Sequence, residues 1–71
     1  MFTTSDTPLA AVFMTLGYFV TPREQESRRY IFEIDGLGCE AVESLYDRRQ
    51  LSIDVHTFYD NYKALLRKIS S

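Results

Sequence analysis

The sequence predicts a small α+β domain: an antiparallel β-hairpin, with or without a short N-terminal third strand, packed against three helices in the order (β)αββαα. Three observations lead there. Apolar residues recur at helical spacing in three separate segments. Between the first and second of these the period drops to two. Seventy-one residues leave room for one core, so residues 1–71 form a single domain that buries roughly 60% of its unfolded surface.

The elements follow in order. Leu9, Val12, Phe13 and Leu16 fall at i, i+3, i+4 and i+7, which predicts a first helix from Asp6 or Pro8 to Leu16. Thr4 and Thr7 are competent N-caps, Pro8 suits the first turn, and Gly17 supplies a left-handed residue to end the helix. Asp6 in the first turn already carries the negative charge that a bound anion would bring, so an anion site at this helix start is disfavoured. Tyr18, Val20 and Pro22 then alternate with Phe19, Thr21 and Arg23, and Tyr30, Phe32 and Ile34 alternate with Arg29, Ile31 and Glu33. Both runs are rich in β-branched and aromatic residues and read as strands joined by the polar loop 23–27. Pro22 cannot donate to a ladder and belongs at a strand end or an edge.

The "DGLG" run at 35–38 breaks the chain. Cys39 to Arg48 reads as a second helix, with Cys39, Val42, Leu45 and Tyr46 inward and Glu40, Glu43, Ser44 and Asp47 outward. Residues 51–53 are a short extended link or strand stub. Asp54 caps a third helix whose Val55, Phe58, Tyr59, Tyr62, Leu65, Leu66 and Ile69 share about 120° of arc. Tyr59 lies at the margin of that stripe and is the tyrosine expected to be exposed.

Composition bears on function mainly by exclusion. Five tyrosines and five phenylalanines argue against disorder. Cys39 is the single cysteine, so no internal disulfide and no paired-cysteine zinc site can form, and a small buried thiol in a reducing compartment is expected. No leader and no apolar run of about 20 residues is present, which predicts a soluble cytoplasmic protein. The formal charge of −2 lacks the basic excess that drives non-specific nucleic-acid binding. His56 and Asp60 stand one helical turn apart, but nothing in the sequence brings Cys39 to them. No phosphate loop and no metal-ligand spacing appears. No catalytic residue, metal or cofactor is expected.

Binding is the remaining class. Arg23, Arg28 and Arg29 gather at the hairpin and suit phosphate or an acidic protein patch, although Glu24 and Glu26 dilute their field. Arg48, Arg49, Arg67 and Lys68 follow helices that begin with acids, which the helix dipole explains without a ligand. The first helix is apolar nearly all round. Its Ala10/Met14 flank is covered either by the hairpin and third helix or by a partner, including a second copy of the chain. Tyr59 joins these as a candidate contact residue.

The pattern Phe2-x-Thr4-x-Asp6-x-x-Leu9-Ala10-Ala11, the short helix to Gly17-Tyr18, Arg29-x-Ile31-Phe32 and the final helix bearing Tyr and Leu resemble a family of short uncharacterised proteins from phages and prophage-bearing bacteria. These carry a domain of unknown function. The resemblance spans nearly the whole chain and departs at Pro8, in the loop 21–27 and at Val55. It implies a setting inside a bacterial host and brings no activity to any residue. The resulting expectation is a non-enzymatic accessory protein that binds a host or phage protein, or itself, and modulates a host protein or defence system. The alternative is a nucleic-acid-binding accessory protein using the hairpin arginines.

Overall fold

The computed structural model describes residues 1–26 and 29–70. It runs β1 (Phe2–Thr4), α1 (Thr7–Thr15), β2 (Phe19–Glu24), β3 (Tyr30–Asp35), α2 (Cys39–Asp47) and α3 (Val55–Ser70). The strands form one antiparallel sheet of order β1-β3-β2, so the short N-terminal strand is present and β3 is central. Its register places Ile34 between Phe2 and Val20, and Phe32 between Thr4 and Pro22. These six residues alternate with solvent-facing neighbours and make the inner face, on which Phe32 and Ile34 are each 1% exposed. Pro22 sits on the edge strand β2, where a missing donor is tolerated.

Helix α1 packs on this face and against α3, which also meets β2. Leu9, Ala10, Ala11, Phe13, Phe32, Ile34, Cys39 and Leu65 form the main core. Ala10 is wholly buried, and Met14 is half-buried against the same cluster. Of the two covers open to the Ala10/Met14 flank of α1, the chain itself or a partner, the structure shows the first. A polar relay fixes the helices beside that core. Asn61 Nδ2 donates to Thr15 Oγ1 (3.1 Å), which in turn donates to the Ala11 carbonyl (2.8 Å).

Helix ends are set by local chemistry. Asp6, rather than Thr4 or Thr7, caps α1: its Oδ1 accepts from the Leu9 N–H at 3.1 Å, while its own N–H donates to Thr4 Oγ1. At the other end, Tyr18 N–H donates to the Phe13 carbonyl and Gly17 N–H to the Met14 carbonyl, a Schellman motif with Gly17 at φ 94°. The ring contact that accompanies such motifs is Phe13 against Tyr18, edge-on at 5.1 Å. Tyr18 then reaches the 36–38 turn, where its hydroxyl donates to the Leu37 carbonyl at 2.6 Å and its ring lies flat against Gly36.

Four residues read as core-facing are instead exposed, Leu16 (41%), Leu45 (40%), Val55 (70%) and Leu66 (39%), while Tyr59 (55%) is exposed as its marginal place suggested. On α3, length contributes. At 1.5 Å per residue, α3 is about 24 Å long and α1 about 14 Å, so α1 cannot cover the whole stripe of α3. The link 51–53 has no regular secondary structure and joins no sheet. Helix α2 stops at Asp47, with Arg48 as its cap, one residue short of the expected end.

Two predictions follow from these ends. A Cβ on Gly36 would fall on Cδ2 and Cε2 of the Tyr18 ring, and that ring is held by Phe13 and Leu37. Gly36→Ala is therefore expected to lower unfolding free energy by about 1–3 kcal/mol in urea denaturation. The Asp54 carboxylate accepts from the Thr57 hydroxyl and from its N–H at 3.0 Å, and these bonds hold its pKa below the usual carboxylate value. Its contribution to stability is thus full above the unfolded pKa of about 3.9 and is lost as pH falls through the lower folded value. The stability advantage of wild type over Asp54→Asn should shrink across that acid window; an advantage independent of pH there would refute the assignment.

Candidate binding cleft

The uncovered ends of three helices converge on one concave surface. Pro8 and Val12 come from successive turns of α1, Tyr46 from the end of α2, and Val55 and Phe58 from the first turns of α3. Leu51 and Ile53 join them from the link between α2 and α3. Together with Arg49 they line a cleft of about 390 Å³. That volume lies in the range of small-ligand pockets and suits one or two inserted side chains. Val12 is 3% exposed yet stands outside the main core cluster; it forms part of the cleft lining instead.

Six of the eight lining residues are apolar, and the other two supply the polar groups. Burial, followed by the nearby Asp6 and Asp47 carboxylates, pushes the Tyr46 phenol pKa up. Arg49 owes its position to a second Schellman motif. Gln50 N–H donates to the Leu45 carbonyl (2.9 Å) and Arg49 N–H to the Tyr46 carbonyl (3.0 Å). Arg49 consequently has φ 59°, the one left-handed non-glycine residue among those described. Its guanidinium is in none of the ion pairs of the described residues.

The residues singled out from sequence lie elsewhere. Arg23 Nε is paired with Glu33 Oε1 across the sheet at 2.9 Å. Arg28 lies outside the described residues. Arg29 is exposed, and its backbone carbonyl accepts from Gln25 N–H to close the hairpin. Tyr59 is exposed, with Lys63 Nζ 4.6 Å from its ring centroid. Ala10 and Met14 belong to the core side of α1. None of these lines the cleft. Cys39 is buried, donates to the Gly36 carbonyl at 3.6 Å, and has its pKa raised by burial and then by Glu40. Those conditions disfavour a thiolate. His56 is exposed on α3. Among the described residues, no group of three His, Cys, Asp or Glu side chains could hold a metal, and no helix is long and apolar enough to cross a membrane.

Comparison with protein-family models, with curated proteins and with solved structures found no match to this chain.

Arg49 gives a direct test of the cleft's construction. A left-handed Arg costs on the order of 1 kcal/mol relative to glycine at the same position. Arg49→Gly should therefore raise the urea midpoint, by about 0.5–1 kcal/mol in unfolding free energy, with an unchanged denaturant slope. A lower midpoint would show that the side chain holds the 46–53 segment in place.

Proposed function

We propose that the chain is a small non-enzymatic protein-binding accessory protein that docks its partner on the cleft between Pro8, Tyr46, Ile53 and Val55. The observation that carries this reading is the cleft itself: an open apolar surface, continuous with the 70%-exposed Val55 and bordered by a tyrosine and an arginine. Desolvated pockets of that composition serve as anchoring points in protein interfaces. The resemblance of the opening motif supplies a setting, an accessory protein of a phage or mobile element that modulates a host protein or defence system by stoichiometric binding.

The nucleic-acid alternative has weaker support. Arg23 is committed to Glu33, and the chain is acidic overall. The two readings separate in one experiment. Affinity capture from bacterial lysate is expected to retain a partner protein on wild type and on Arg29→Glu, but to lose it on Val55→Glu, which alters an exposed side chain. Capture that survives Val55→Glu, or salt-sensitive retention of nucleic acid lost in Arg29→Glu, would overturn the proposal.

A further inference from the structure

The cleft holds one charged side chain, and its placement is costly. Arg49 occupies the left-handed position at which helix ends favour glycine, lines the cleft, and forms no ion pair among the described residues. A non-glycine residue kept in such a conformation directs attention to what its side chain does. The acids nearby are otherwise engaged or face Tyr46. Asp6 and Asp54 each accept from the backbone N–H of a helix start, which offsets part of their charge, while Asp47 lies at the end of α2. Arginine presents a planar fork of donors suited to a carboxylate, and the apolar lining beside it suits an aliphatic or aromatic side chain.

Resting on the docking role proposed above, we propose that the partner segment is an acidic-apolar peptide, one large apolar side chain seated against Val12, Ile53 and Phe58 with an adjacent carboxylate on Arg49. The volume of about 390 Å³ accommodates such an anchor but not a whole helix. Specificity then divides in two. The apolar body supplies most of the affinity, and Arg49 selects the sign of the neighbouring charge.

Three probes with one apolar body separate these parts: 3-phenylpropionate, 3-phenylpropanamide and 3-phenylpropylamine, each titrated into the full chain and followed by amide chemical shifts. The proposal expects all shifts to centre on residues 46–58 and Val12, with the carboxylate binding about three- to fivefold tighter than the amide, the effect of an exposed charge pair. In Arg49→Gln that preference should vanish while amide binding stays the same; Arg49→Gly, which relieves the backbone, should behave likewise. Equal binding of carboxylate and amide, or tightest binding of the amine, would overturn the charge assignment and leave the docking role standing. Absence of cleft shifts with every probe would overturn both.

Discussion

A nine-residue helix has to be covered on nearly every side, and the rest of this structure is arranged around that requirement. Helix α1 buries Leu9 through Phe13 without interruption, including two wholly buried alanines. A single sheet or a single helix can cover one stripe of such a helix. Here the sheet face carrying Phe32 and Ile34 covers one side and α3, through Leu65, covers another. The order of the elements follows from this geometry. The chain places α1 before the hairpin that lies on one side of it, and returns with the longest helix to close the other.

That arrangement also explains why apolar surface remains uncovered. Helix α1 is too short to match α3, and α2 meets α1 less extensively than α3 does. Beside Val55 and Phe58, Pro8 and Val12 of α1 and the link 51–53 line a space that none of them seals. The cleft thus lies where α1, α2, α3 and the link meet without filling the space between them.

The element order, the hairpin, the caps at Gly17 and Asp54 and the inward faces of the strands were all legible from sequence, because each depends on residues within a few positions of one another. Asp6 was misplaced by one position because Thr4, Asp6 and Thr7 are all competent caps and their competition is settled by the geometry of the preceding strand. The exposure of Leu45 and Leu66 was not legible, since a helical wheel gives the direction of a stripe but not the length of the neighbour that covers it. The cleft was least legible of all. It joins Pro8 and Val12 to residues some forty positions later, and the turn that aims Arg49 has no glycine to announce it. The available signal was the alternation of Leu51 and Ile53 in a segment with no strand partner.

The sheet has a different relation to its surroundings. One edge is the three-residue β1, and the other, β2, carries Pro22 followed by Arg23 and Glu24. Neither gives an incoming strand a long, uncharged row of backbone donors and acceptors to template on. Sheet-to-sheet growth, the common route by which small β-containing proteins aggregate, is blunted at both sides. The apolar opening between the helices is thereby not joined by a second adhesive feature at the sheet's edges.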